Sequence, residues 1–429
     1  MGTGDWVTDQ RPKSWREQML YLYVNGTLPL NGILAKMPSE ATTDAEFNWW
    51  TKTFPDQAGD ITGIYTDSIL STAYTTGGVA GDVLYVKMTE AHLGHFRIGH
   101  QVLLKDSDDP TTDVNAKVIS RSANGASSNI GVKLLEADDN SSYSHNLSDA
   151  DRCIVIGNIN AEGAAMPTGV QYDPDKYYNY TQIFRTPLSI TRTARKTKLR
   201  TGAQYQEAKR EALELHGIEM ERSWIFGIKT ENTGDNGKKE RTTQGIIPFI
   251  REYNSTCMSD FTLNSTYHGK KWVDDGGGKT FLDYYLELLF RYGKNERLAI
   301  CGSGALIGIS NLVIANTHYS IEQSTTSYGI KVTEWRTPVG RIFLKDHPLF
   351  NIEPALRYSM LILDPQNLKY RYIDDTRFYG EGEANQAAPG TNGGRIDGTQ
   401  EEYLTEAGLE IHHPYTTGFL SGIGQDHSA

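Results

Sequence analysis

Four stretches of the chain hold residue types at spacings that could do chemistry. Asp274 to Thr280, DDGGGKT, has the glycines and the Lys-Thr pair of a phosphate loop. Such a loop needs a glycine five residues ahead of the one that precedes the lysine, and that position is Val273, so the run reads as a glycine-rich lead into a helix. Glu90, His92, His95 and His100 could be drawn as a metal cluster, but Gly94 and Gly99 break EAHLGHFRIGH into loop and strand pieces. The i, i+4 helical geometry of a metalloprotease site is then absent. His412 and His413 are neighbours that point to opposite faces of a strand. Gly302-Ser303-Gly304 fails as a nucleophile elbow because Cys301 and Ala305 occupy the outer glycine positions. A Ser, His and Asp triad brought together only by folding stays open. No catalytic residue, metal or cofactor is expected from these motifs, and the chain is expected not to be an enzyme.

Composition narrows the classes further. The 42 basic and 53 acidic residues leave a net charge of −11, which argues against a dedicated nucleic-acid binder. Cys153, Cys257 and Cys301 are odd in number and far apart, implying neither a disulfide framework nor a zinc cluster and pointing to a reducing compartment. The N-terminus MGTGDWVTDQRPKSW lacks an apolar signal region, so export is not expected. Leu298 to Ala315 is uncharged, but Gly302-Ser303-Gly304 divides it into a buried strand and a helix that Ser303 can cap, so no membrane span is expected.

The elements around these motifs carry more information. Gln182 to Thr193 alternates as a strand, a basic turn follows (Arg192, Arg195, Lys196, Lys198, Arg200), and Ala203 to Gly227 reads as a helix of about 37 Å. Its apolar stripe, Tyr205, Ala208, Ala212 and Leu215, is narrow, while Glu207, Lys209, Arg210, Glu211, Glu214, Glu219, Glu221 and Arg222 cover the rest, as on a structural spine. Residues 1–45 read as an arm with short helices, followed by the aromatic strand EFNWWTKTF, Glu46 to Phe54. From Val79 to Pro167, five short strands between polar loops read as a small all-β barrel inserted into the chain. Beyond the spine, Thr280 is expected to cap a helix, and strands and helices then alternate in an α+β block, including a hairpin that turns at Thr337 to Gly340.

The residues PLNGILAKM with EFNWWTKTF, IGNINAEGAAMPTG, YNYTQIFRTPLSITRTA with YQEAKREALELHGIEMERSWIFG, RTTQGI and EEYLTEAGLEIHHPYTTGFLSGI occur in an order that spans nearly the whole chain. That order resembles the major capsid protein of tailed bacteriophages, the Hong Kong 97 capsid fold, and more closely a subfamily with a β-barrel inserted in its extended loop. The resemblance implies an N-terminal arm at 1–45, an extended loop at 46–77 and 168–191, and an inserted barrel at 78–167. It also implies a peripheral domain at 192–278 and 357–429, with its spine helix at 203–227, and an axial domain at 279–356. The implied function is self-assembly into hexamers and pentamers of an icosahedral shell around double-stranded DNA, assembled in the host bacterial cytoplasm and ending in the virion. The implied contacts are Trp49, Trp50 and Phe54 of the loop over a neighbouring subunit, and Trp15, Tyr21 and Leu22 of the arm. The basic turn and Glu207, Arg210 and Glu214 of the spine would meet a neighbour or DNA. Because only about 45 residues precede the loop, a separate scaffolding protein is expected, along with a portal protein and a decoration or cement protein. Some relatives are cross-linked through a loop lysine, but Lys52 and Lys87 match no such motif. A hydrolase or carbohydrate-active enzyme with an accessory barrel is the alternative.

Overall fold

The computed structural model describes residues 39–52, 56–109, 111–138, 146–197, 204–315, 320–327, 330–380 and 398–427. The strands, in chain order, begin with β1 (Ser39–Ala41) and β2 (Glu46–Thr51). β3 (Ala58–Tyr65), β4 (Val83–Met88), β5 (His100–Lys105), β6 (Asp113–Ser122), β7 (Asn129–Leu134) and β8 (Arg152–Asn158) come next. They are followed by β9 (Asp175–Tyr180), β10 (Gln182–Thr191), β11 (Thr230–Thr233), β12 (Lys239–Thr242), β13 (Met258–Asp260), β14 (Glu296–Cys301) and β15 (Ser320–Ser327). The last are β16 (Ile330–Thr337), β17 (Gly340–Asp346), β18 (Met360–Leu363), β19 (Leu368–Tyr379), β20 (Gly398–Ile411) and β21 (Gly418–Ser421). The chain divides into two compact units, Lys52–Asp175 and the remainder.

The smaller unit is a closed six-stranded barrel in the order β3-β4-β7-β6-β5-β8. Its strands alternate, with Val102, Leu104, Val114, Ala116, Val118, Ile130 and Val132 turned into a fully buried interior. The sixth strand, β3, falls where the resemblance puts the extended loop (46–77). Gly59 and Gly63 and the preceding Pro-Asp-Gln give it the composition of a turn, yet closure needs it, because β4 and β8 would otherwise each keep an open edge.

In the larger unit, β10 pairs with β20, which pairs with β19, which pairs with β1. β10 has a strict period of two: Phe184, Leu188 and Ile190 point inward, with Thr186 between them on the same face. The long helix Gln204–Phe226 packs on that face. Its buried ridge is Ala212, His216, Met220 and Trp224, one residue every four. Leu215, expected in the stripe, is 49% exposed, and His216 takes the inward place. The swap is possible because both ring nitrogens of His216 are bonded, Nδ1 to Thr186 Oγ1 at 2.9 Å and Nε2 to Thr405 Oγ1 at 2.8 Å.

The second sheet runs β13-β21-β18-β14-β17-β16-β15. β14 is buried along Arg297 to Cys301 and needs partners on both edges: β17 runs parallel on one side and β18 antiparallel on the other. β18 and β21, which follow residue 356, thus complete the sheet that β14 to β17 build before it. Arg297 is fully buried and donates from Nη1 and Nη2 to the carbonyls of Lys294, Tyr292 and Leu289, tying β14 to the end of helix Gly278–Phe290. That helix starts at Gly278, so Thr280 lies inside it rather than at its cap. A Cβ at Gly278 would sit 2.5 Å from the Trp272 ring, one at Gly277 would sit 2.2 Å from Lys271 O, and Gly276 has a φ of +73°, so close packing and a tight turn account for the glycines of DDGGGKT.

Burial holds the pKa of His216 below its ordinary value near 6.5. The unfolded chain then takes up a proton that the folded ring refuses, and stability that is complete above pH ~6.5 falls with decreasing pH at up to about 1.4 kcal/mol per unit. Denaturant titrations at pH 7.5 and 5.5 should show this loss, and His216→Gln should reduce the difference between the two.

Candidate assembly surfaces

β2 and β9 pair as a two-stranded ribbon where the chain leaves the larger unit and returns to it. Both strands alternate, which gives the ribbon one inward and one outward aromatic face. Inward, Trp49 lies with its ring centroid 5.9 Å from Phe47 and 6.1 Å from Tyr177, and its Nε1–H donates to Ile411 O at 3.1 Å. Trp49 is therefore a core residue of its own subunit and not the expected intersubunit contact: its face and its N–H are both satisfied within the chain. Outward, Trp50 is 62% exposed, with Lys176 Nζ 6.0 Å from its ring. Tyr178 shares that outward side and meets Tyr180 edge-on at 5.8 Å. Lys229 Nζ lies 4.5 Å over Tyr178 and bonds Glu252 Oε1 and the Tyr253 hydroxyl, each at 3.0 Å. Burial opposes the Lys229 charge, but these two bonds outweigh it and hold its pKa above the usual lysine value.

The expected basic turn is a short helix, Arg192–Lys196, capped by the Thr191 hydroxyl, which accepts from Ala194 N. Arg192, Arg195 and Lys196 are exposed on it, and the Arg195 guanidinium lies 5.3 Å from the Tyr205 ring. On the long helix Glu207 is half-buried, and Arg210 and Glu214 form an exposed i, i+4 pair at 3.8 Å. Trp15, Tyr21, Leu22, Phe54, Lys198 and Arg200 lie outside the described residues.

The chemistry-bearing residues of the sequence do not converge. His92 and His95 have ring centroids 6.4 Å apart, while His100 Nε2 instead accepts from Arg97 Nε at 2.9 Å. Among the described residues no group of three or more His, Cys, Asp or Glu is arranged to hold a metal. The three cysteines are buried, and burial pushes their thiols up, Cys153 to about 12. What the structure offers instead is surface: an outward aromatic ribbon face and a long charged helix.

A model of the SU10 major capsid protein family matches residues 10–424. The chain belongs to the SU10 major capsid protein family. It is 27% identical over 290 residues to the major capsid protein of Pseudomonas phage PaMx41, covering 63% of this chain and 66% of that one, just under two thirds of the relative's length. Among solved structures it is similar to a chain of Mycobacterium phage Bobi, at TM-score 0.45 and 7% identity, over 98% of this chain and 94% of the other. It is also similar to a chain in the capsid of Myoviridae Phage XM1, at TM-score 0.42 and 8% identity, over 96% of each. Both superpositions are loose.

For a capsid-family chain the outward face of β2 and β9 is the part of the described surface that sequence reasoning half found. Trp50 was legible, and the alternation of DKYYNY carries the same signal for Tyr178. Lys229, Glu252 and Tyr253 were missed, because only the tertiary fold brings them together. Trp49→Ala should cost the subunit about 3–5 kcal/mol in denaturant unfolding. Trp50→Ala should stay within about 0.5 kcal/mol of the parent in the same assay, yet weaken self-association in sedimentation velocity.

Proposed function

We propose that this chain is the shell-forming subunit of a tailed phage of the Hong Kong 97 type, with hexamers and pentamers tiling an icosahedron around double-stranded DNA. The observation that carries this reading is the family match from residue 10 to residue 424, which leaves almost none of the chain for another task. The site chemistry agrees: an exposed aromatic face flanked by lysines suits burial against another protein, where aromatic anchors dominate the binding energy. On this reading Trp50 and Tyr178, with Trp15, Tyr21 and Leu22 of the N-terminal arm, contact neighbouring copies, and the exposed Arg192, Arg195, Lys196, Arg210 and Glu214 make salt-sensitive contacts at the subunit boundary or with DNA. The subunit has no catalytic role. A separate scaffolding protein, a portal protein and a decoration protein complete the particle, which is assembled in the bacterial cytoplasm.

Charge supports an orientation. Residues 52–175 hold 8 basic and 17 acidic residues, so nine of the eleven net negative charges sit on the barrel unit. A polyanion repels such a surface, so the barrel faces away from the packaged DNA.

Negative-stain microscopy of the purified chain, alone and co-expressed with its phage's scaffolding protein, should show closed shells or capsomers. A monodisperse monomer under both conditions would count against the reading. Removal of residues 1–37 should leave a soluble body with its far-ultraviolet spectrum intact that no longer closes into shells.

A further inference from the structure

The barrel is electrically polarised along its strands. At one end the Lys105–Asp113 turn and the loop before β8 bring together Asp108, Asp149 and Asp151, all exposed, and Ser107 N donates to Asp151 Oδ1 at 3.0 Å to hold the two loops side by side. Asp106, Asp113, Glu136 and Asp138 lie at the same end, where the cations are Lys105 and Arg152, the latter already held by Asp56 and Asp60. At the other end a groove of about 760 Å³ opens between β6, the turn before β5 and the segment after β8. Arg97, Lys117 and Arg121 line it together with Ile98, Ile159 and Met166, and no carboxylate does, although Glu162 lies in the segment that walls it. Arg97 is fixed in place, its Nη1 donating to Thr168 O at 3.0 Å and its Nε to His100 Nε2 at 2.9 Å. Ile98 is 59% and Met166 95% exposed, so the groove has an apolar wall as well as cations.

The two ends cannot neutralise each other within one barrel. β5 runs between them, and at ~3.3 Å per residue it separates them by about 17 Å, twice the ~8 Å Debye length at physiological salt. A second copy can do what one cannot. We propose that the basic groove of one barrel receives the acidic end of the barrel on a neighbouring copy, a head-to-tail contact between inserted domains. Such a heterologous contact repeats from copy to copy and closes when the rotation between copies permits, as a ring of subunits requires. The occupant is matched by charge: an acid-free groove on a unit of net charge −9 meets the exposed carboxylates of the same unit.

The inference rests on the shell-forming reading, so its test runs the full-length parent alongside, and a parent that forms no particles would fail that reading instead. Three full-length variants are compared by sedimentation at ~0.15 M salt. Lys117→Glu with Arg121→Glu makes both ends acidic, and Asp108→Lys with Asp149→Lys makes both ends less complementary. Each should lower assembled material about tenfold, and the chain with all four changes, in which the new lysines of one end can meet the new glutamates of the other, should recover part of it. Assembly of both pairwise variants at parental levels overturns the proposal, and so does a fourfold variant no better than the worse pair. If melting shows that a charge-changed barrel has lost its fold, Lys117→Gln with Arg121→Gln is compared in its place. Its assembly should depend less steeply on salt than the parent's, and an unchanged salt dependence overturns the contact.

Discussion

The larger unit depends on the amide of Asn179. This side chain is buried on β9 and uses both of its ends. Its Nδ2 donates to Leu409 O at 2.7 Å, Gln244 O at 3.1 Å and Thr243 Oγ1 at 3.2 Å, while its Oδ1 accepts from Gln244 N at 2.7 Å and Tyr180 N at 2.8 Å. Residues 65 and 230 positions away in sequence are thereby pinned to the strand at which the chain returns from the barrel. A buried network of this kind is stabilising only when every member is satisfied, so it fixes one arrangement of β9, β20 and the Thr243-Gln244 segment rather than merely favouring compactness. With β9 placed, β2 can pair beside it, Trp49 reaches Ile411 O, and the outward face carrying Trp50 and Tyr178 is set as a consequence.

The same unit shows how polar groups can replace apolar ones on a packing ridge. An apolar template picks Leu215 from the long helix, because Leu is the better hydrophobe. The four-residue ridge that runs through Ala212, Met220 and Trp224 instead passes through His216. Two threonine hydroxyls from strands far away in sequence make that histidine acceptable. One turn further on, Glu221 is fully buried against His347, Oε1 to Nε2 at 3.0 Å. Because His347 Nδ1 accepts from Leu349 N, the proton of the ring sits on Nε2 and points at the carboxylate. The helix looks like a solvated rod in sequence because two of its six buried residues, His216 and Glu221, are of types that are normally exposed.

What was legible therefore follows the range of the interaction. Period-two alternation placed β10 and five barrel strands, and it put Trp49 and Trp50 on opposite faces of β2, since these depend on neighbours in sequence. It did not say which face is the core, and the expectation that Trp49 covers a neighbouring subunit failed on that point. β3 was hidden by its glycines and by the turn residues before it, and only the need to close the barrel identifies it. The sharing of one sheet by β14, β18 and β21 was hidden for the same reason: strand partners that arrive from the far end of the chain leave no local mark.

Charge is the part of the sequence whose meaning changes most once the fold is known. A net charge of −11 argues against a dedicated DNA binder but says little else. Divided by unit, nearly all of it belongs to the barrel, and the larger unit is close to neutral. There the acids and bases form local pairs, Arg185 with Glu402 at 2.6 Å, Arg241 with Glu231 at 2.8 Å and Arg371 with Glu410, which contribute modestly where exposed and leave little net field. In the barrel, apart from Lys105 and from Arg152 with its partners Asp56 and Asp60, they are sorted to opposite ends. Sorting does nothing for the stability of one subunit, since separated like charges repel and the ends lie beyond screening range. On the proposed shell-forming reading it gains a use when copies are arrayed at a fixed spacing: the larger unit's aromatic ribbon face would supply burial and the barrel's polarity orientation between copies.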